Sequence, residues 1–153
     1  MKSVLFVCLG NICRSPMAHG IFRAKTKERG LNIHIESAGT SAFHVGEHAD
    51  SRAINTLKSK GIDIMDLRSR LFVPSDFDDY DLIITMDTSN QNDVSQIGRK
   101  SEHGNTPKMI MNYLHPKKNV SVPDPYYGGV TGFEDVYKML DLALDKLIEE
   151  MAN

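Results

Sequence analysis

The stretch Val4-Leu5-Phe6-Val7-Cys8-Leu9-Gly10-Asn11-Ile12-Cys13-Arg14-Ser15-Pro16 decides how the rest of the chain is read. Its first four residues form a short β-branched and aromatic run without alternation, the pattern of a strand buried on both faces of a parallel sheet. At its far end Ser15-Pro16 predicts a helix start, because proline suits the first helical position. Met17, Ile21 and Ala24 then recur at helical spacing until Gly30. Between strand and helix lies a loop with a glycine, an asparagine, two cysteines and an arginine, at the strand end where open α/β sheets bind ligands.

Working outward, further strand and helix signals alternate. A second strand is expected over Asn32 to Ser37, followed by a helix capped by Asp50, with Ala53, Ile54 and Leu57 inward and Gly61 ending it. Asp81-Leu82-Ile83-Ile84-Thr85-Met86 reads as a third buried strand and Lys108 to Asn112 as a fourth, with short helices around Ser75 to Asp79 and Ser89 to Ile97. Thr131 and Glu134 have the spacing of a capping box. The apolar stripe Phe133, Val136, Tyr137, Leu140, Leu144, Leu147, Ile148 and Met151 makes the last element a long amphipathic helix. The alternation implies an α/β fold with a central parallel sheet and helices on both faces. A single domain over residues 1–153 is the expectation.

The formal charge of −2 offers no sequence-wide basic field for nucleic acid, and no Lys/Arg cluster marks a membrane patch, so any anion site must be local. The apolar run after Lys2 is too short for a signal-peptide core and no stretch approaches spanning length, which leads to the expectation of a soluble cytoplasmic protein. The two cysteines lie five positions apart beside an arginine, poor evidence for a disulfide framework and better evidence for a reactive thiol in a reducing compartment.

The loop has the chemistry of an anion cradle. Leu9 to Arg14 supply consecutive backbone N–H groups between a strand end and a helix N-terminus, where the helix dipole also favours negative charge. Gly10 and Asn11 tolerate the left-handed backbone such a curve needs, and Arg14 adds a planar fork for two phosphate oxygens. The same field favours the thiolate form of Cys8, so the loop would hold an anion and a nucleophile together. Activating the sulfur would supply only a small part of a large acceleration. Most must come from donors placed around the charge of a transferring phosphoryl group. A Walker loop would need Gly-Lys-Ser/Thr, a zinc site four ligands where only Cys8, Cys13 and His19 are near, and a thioredoxin-like site Cys-x-x-Cys. Two structural cysteines beside a surface arginine is the bland alternative.

CLGNICRSP, with Cys8, five residues, then Arg14-Ser15, closely resembles the signature of the low-molecular-weight protein tyrosine phosphatases. Ser37-Ala38-Gly39-Thr40-Ser41, Met86-Asp87-Thr88-Ser89-Asn90 and Val122-Pro123-Asp124-Pro125-Tyr126-Tyr127 each look like a family segment in its expected order, so nearly the whole chain is covered. The resemblance implies a three-layer, Rossmann-like fold of the phosphotyrosine protein phosphatase I type with four parallel strands. It also implies hydrolysis of protein phosphotyrosine through a phosphocysteine, with no metal and no cofactor.

On that resemblance Cys8 attacks phosphorus, Arg14 and the amides of Leu9, Gly10, Asn11, Ile12 and Cys13 hold the phosphate, and Ser15 stabilises the sulfur. Asp124 serves as general acid and then general base; without the resemblance, Asp-Pro reads equally well as a turn pair. Tyr126 and Tyr127 would flank the cleft with Phe43 on the opposite wall, favouring an aryl phosphate. Asp87, at the end of the third strand, is expected to anchor loops near the site, and Ser37 to support Asn11. Cys13 is read either as small-residue packing or, by the resemblance, as partner to Cys8 in a reversible protective disulfide.

One departure stands out. Where many members place a histidine before a basic-x-Arg segment, this chain has Leu67 ahead of Arg68-Ser69-Arg70, leaving Asn11 to Ser37 alone or to water. The six histidines show no metal-ligand spacing and read as surface or loop residues. Arsenate reductases share the fold and loop, but their cycle needs a further cysteine that this chain lacks outside residues 8 and 13. Phosphoarginine phosphatases of the same fold are the other alternative. They tend to carry a small polar residue where this chain has Ile12. A phosphate-binding module without catalysis is disfavoured because Cys8, Arg14 and Asp124 are all present. Expected partners are a phosphotyrosine-containing protein substrate, no nucleic acid and no membrane, with the chain a monomer or weak homodimer.

Overall fold

The sheet forms in the order β2-β1-β3-β4, all parallel, from β1 (Lys2–Cys8), β2 (Ile33–Gly39), β3 (Leu82–Thr85) and β4 (Lys108–Met109). The structure is a computed structural model and describes residues 2–100, 106–128 and 130–152. The helices are α1 (Arg14–Glu28), α2 (Ser51–Lys58), α3 (Asp76–Asp79), α4 (Thr88–Lys100) and α5 (Val130–Ala152), with 3₁₀ turns at Ile110–Tyr113 and Pro125–Tyr127.

β1 is the structural centre, and its burial follows from its neighbours. Val4, Phe6 and Cys8 face a core built with α1, α2 and α5, in which Phe6 meets Phe22 edge-on at 5.6 Å. Leu5 and Val7 face the other core, with Phe77 of α3 and Val94 of α4. Burial on both faces explains the unbroken apolar run, and the period of two puts the sulfur of Cys8 on the α1 side. The chain leaves β1 toward β2 on one side and later returns to β3 on the other, so the carboxyl end of β1 is the switch point where such sheets open a crevice.

Several boundaries differ from the sequence expectation for identifiable reasons. β2 runs on to Gly39 because its ladder with β1 continues through Cys8 opposite Gly39. β4 stops at Met109 rather than Asn112, because β3 ends at Thr85 opposite Met109 and offers nothing further to pair with. α1 begins at Arg14, which places Pro16 third; it is still in the first turn, where no intrahelical bond is lost. Ala24 is only partly buried, and Phe22 takes its place in the core. α5 begins at Val130, so Thr131 is helical rather than a cap, and Glu134 instead accepts from Lys60 Nζ at 2.8 Å. Asp50 does cap α2, accepting from the Arg52 N–H at 2.8 Å. No described helix is long and apolar enough to cross a membrane.

Candidate active site

The loop from β1 to α1 closes on itself through side chains that lie beneath it. Asn11 sits at φ 57°, the left-handed conformation expected of it, and its side chain turns inward. Its Oδ1 accepts from the Arg70 N–H at 3.0 Å, which fixes the amide so that Nδ2 donates to Ser15 Oγ at 2.7 Å. Ser15 Oγ in turn lies 3.0 Å from Cys8 Sγ and 3.4 Å from the Ala38 carbonyl. With one lone pair of the hydroxyl engaged by Asn11, its single proton lies between the Ala38 carbonyl and the sulfur, of which the sulfur is the nearer.

Gly39 matters here for space. A Cβ at that position would stand 2.6 Å from the Leu9 carbonyl and 3.1 Å from the Asn11 nitrogen, both backbone atoms that cannot swing aside. The end of β2 therefore presses directly against the loop and helps set its curve. The Ser41 N–H donates to Leu9 O at 2.9 Å and Ser69 Oγ to Gly10 O at 2.9 Å, completing a collar of hydrogen bonds.

Arg14 is buried, and Nη1 donates to Asp87 Oδ2 at 2.5 Å and to the Val122 carbonyl at 2.9 Å. Nη2 lies 3.7 Å from Asp124 Oδ2. Burial opposes the charge on the guanidinium, but Cys8, the bond to Asp87 and the field of Asp124 outweigh it, and its pKa is raised. Asp87 earns this position from its place after β3. Its Oδ1 accepts from the Asn90 N–H at 2.7 Å, starting α4, which leaves Oδ2 for Arg14.

Asp124 uses its two oxygens differently. Oδ1 accepts from the Tyr126 N–H at 3.0 Å and caps the short turn Pro125–Tyr127, while Oδ2 is the oxygen turned toward Arg14. The same carboxylate is a turn residue and a wall of the cleft.

That cleft encloses about 330 Å³. Cys8, Leu9, Gly10, Ile12, Cys13 and Arg14 line it from the loop, Phe43 from the segment after β2, and Asp124, Tyr126 and Tyr127 from the far segment. Asn11 and Ser15 lie below it rather than in its lining, as buried supports. Phe43 and Tyr127 are largely exposed at the rim. Cys8 and Cys13 are free thiols; burial, then the charges of Asp50, Cys8 and Asp124, push the Cys13 thiol strongly up, so it stays protonated beside Cys8.

A family model described as low molecular weight phosphotyrosine protein phosphatase matches residues 3–153. The chain belongs to that family. It is 44% identical over 142 residues to the low molecular weight phosphotyrosine protein phosphatase of Schizosaccharomyces pombe, spanning 90% of this chain and 88% of that one. The crystal structure of YfkJ from Bacillus subtilis matches with a TM-score of 0.89 at 36% identity, over 99% of this chain and 95% of that one. The crystal structure of DARP, a Drosophila arginine phosphatase, matches with a TM-score of 0.92 at 29% identity, over 100% and 99% of the two chains.

Within this family framework two sequence expectations need correction. Ser37 does not reach Asn11; its Oγ lies 3.2 Å from Nδ1 of His19, and the backbone of Arg70 supports Asn11 instead. His19 is therefore no surface residue but a buried one, on α1 four residues after Ser15. Burial, with Arg23 and His34 nearby and only Asp66 opposing, lowers its pKa to about 4. Leu67 packs as a partly buried apolar side chain against the larger core.

Other contributors gave little signal in the sequence. His44 lines the cleft between Phe43 and Tyr126, with ring centroids 4.9 and 6.4 Å away, and pairs with Glu47 at 2.8 Å. Arg70 is fastened by two hydrogen bonds to the buried Asp76, which steadies the backbone N–H offered to Asn11. Arg70 stands in the basic-x-Arg segment and His44 in no motif, and what each one holds is visible only in the tertiary contacts.

Proposed function

We propose that this phosphatase hydrolyses protein phosphotyrosine in two steps through a phosphocysteine. Cys8 Sγ attacks phosphorus while Arg14 and the amides of residues 9–14 hold the three non-bridging oxygens. The bond to the aryl oxygen breaks as Asp124 gives that oxygen its proton, and tyrosine leaves. Water then attacks the phosphocysteine, Asp124 takes a proton from it, and the sulfur leaves as thiolate with Ser15 donating to it. Inorganic phosphate is the product. The observation that carries this reading is the 3.0 Å contact of Cys8 Sγ with Ser15 Oγ in a cleft that Arg14 and Asp124 also line.

The aromatic rim favours an aryl ester. Phe43, His44, Tyr126 and Tyr127 line the cleft with rings that suit a phenyl group, whereas phosphoserine would leave them unused. The match to DARP keeps phosphoarginine in view, but Ile12 puts an apolar side chain in the cleft where a guanidinium would need an acceptor. Arsenate reduction is disfavoured by the absence of any cysteine besides Cys8 and Cys13. Two free thiols at the site suit a reducing, cytoplasmic setting, and the reading takes the chain as a monomer or weak homodimer acting on a phosphoprotein.

The test is hydrolysis of p-nitrophenyl phosphate and of phosphotyrosine, phosphoserine and phosphoarginine peptides in chelator. Phosphotyrosine should be preferred by at least roughly 100-fold in kcat/KM, and Cys8→Ser should abolish turnover. An active Cys8→Ser protein, or a preference for phosphoarginine, would overturn the assignment.

A further inference from the structure

Arg52 lies outside every motif of the sequence, yet it connects the two halves of the site. Asp50 begins the connection: its N–H donates to the Ile12 carbonyl of the phosphate loop at 2.8 Å. Its carboxylate holds the guanidinium of Arg52 through Nε and Nη2, each at 3.0 Å. The same guanidinium donates to the Tyr126 carbonyl at 3.0 Å and the Gly128 carbonyl at 3.3 Å. Its carbon lies 5.5 Å from the centroid of the Tyr126 ring and 4.7 Å from that of Phe133.

These contacts fall on the side of Asp124 that the rest of the site leaves to others. Upstream, Val122 is fastened through both of its backbone groups, its N–H donating to Met86 O at 2.8 Å and its carbonyl accepting from Arg14 at 2.9 Å. Downstream, Arg52 takes the carbonyl of Tyr126, the residue whose N–H holds Asp124 Oδ1. A general acid must come within about 3 Å of the oxygen it protonates, and a displacement of about 1 Å can cost on the order of 100-fold.

We propose that Arg52 is a positioning residue that clamps the 125–128 segment to the start of α2 and thereby sets where the Asp124 carboxyl stands over the cleft. This rests on the reading of Asp124 as general acid. Arg52 touches none of the reacting atoms. Its planar fork is required because one group must serve a carboxylate and two carbonyls at once, which a lysine ammonium reproduces only in part.

The test uses the full chain and a series of aryl phosphates graded in leaving-group acidity, with kcat/KM as readout. Arg52→Ala should lower kcat/KM about 10- to 100-fold for the least acidic phenols and less than about 3-fold for the most acidic. Competitive inhibition by inorganic phosphate should shift less than about 2-fold, and Arg52→Lys should recover part of the loss. In an Asp124→Ala background, Arg52→Ala should cost nothing further, because the group it positions is gone. Equal losses across the series, an equal loss in the Asp124→Ala background, or weakened phosphate inhibition in step with kcat/KM would overturn the proposal. If Asp124→Ala itself shows no dependence on leaving group, the acid assignment fails. If Asp124→Ala shows it and neither Arg52 variant does, only the role of Arg52 fails.

Discussion

Between Cys8 and Ser15 only Leu9 and Gly10 reach solvent, whereas between Pro123 and Gly128 only Pro125 is buried. The phosphate loop is wedged between a strand end, a helix start and the backbone of Gly39, and the side chains beneath it hydrogen-bond one another. The loop that carries Asp124 is instead pinned at its two ends by arginines from elsewhere, Arg14 upstream and Arg52 downstream. A site for phosphorus must be in place before substrate arrives, because donors that reorganise during the reaction lose much of their worth. On the proposed mechanism Asp124 handles only protons, for the leaving group in the first step and for water in the second, and its loop can be held more lightly. Damage to the first region should therefore touch every substrate alike, and damage to the second should depend on how badly the leaving group needs a proton.

The largest effect that would sharpen this contrast is expected at Arg14. Arg14→Lys keeps the charge and loses the fork, and kcat/KM should fall on the order of 1,000-fold with the same factor for every aryl phosphate. A loss graded with leaving-group acidity would show that Arg14 serves the acid loop, through its contact with Val122, more than the phosphate. A smaller effect is expected beneath the loop. Asn11→Gly retains the left-handed backbone while removing the amide that orients Ser15, and kcat should fall roughly 10-fold. Wild-type turnover in that variant would mean that the backbone curve alone prepares the sulfur.

The smallest effect concerns stability rather than rate. His19 has a folded-state pKa of about 4, below the usual value near 6.5, because it is buried near Arg23 and His34. A depressed value means that the unfolded chain binds the proton first. The stabilisation is whole above about pH 6.5, is lost as pH falls toward 4, and amounts to about 3 kcal/mol at most. Urea unfolding midpoints at pH 7 and pH 4.5 should therefore differ more for the wild type than for His19→Gln. Matching shifts in the two proteins would remove His19 as the cause. Since His19 holds Ser37 on the strand that presses against the loop, this measures how firmly the rigid half of the site is seated.

Much of this architecture was legible in the residues. The burial of β1, the cap at Asp50, the stripe of α5 and the loop with Cys8 and Arg14 each rest on patterns local to a few residues, and local patterns survive folding. The aromatic rim and Asp124 were legible as a family segment, although spacing alone could not separate acid from turn, and in the structure one carboxylate oxygen caps the turn while the other faces Arg14. The short fourth strand and the helical Thr131 were misread because each depends on what a distant segment offers. Ser37 and His19 were misread for the same reason: a hydroxyl in a strand does not announce which helix will supply its partner.

By itself, then, the chain determined the Cys8 to Arg14 loop that carries the candidate nucleophile and phosphate fork, and the order of strands and helices, because these follow from residue type, backbone preference and periodicity over short spans. Only the tertiary structure decided which side chains hold those groups in place. Arg70 beneath Asn11, His19 behind Ser37 and Arg52 under the acid loop come from segments far apart in sequence, and a hydrogen bond is set by distance and direction in space.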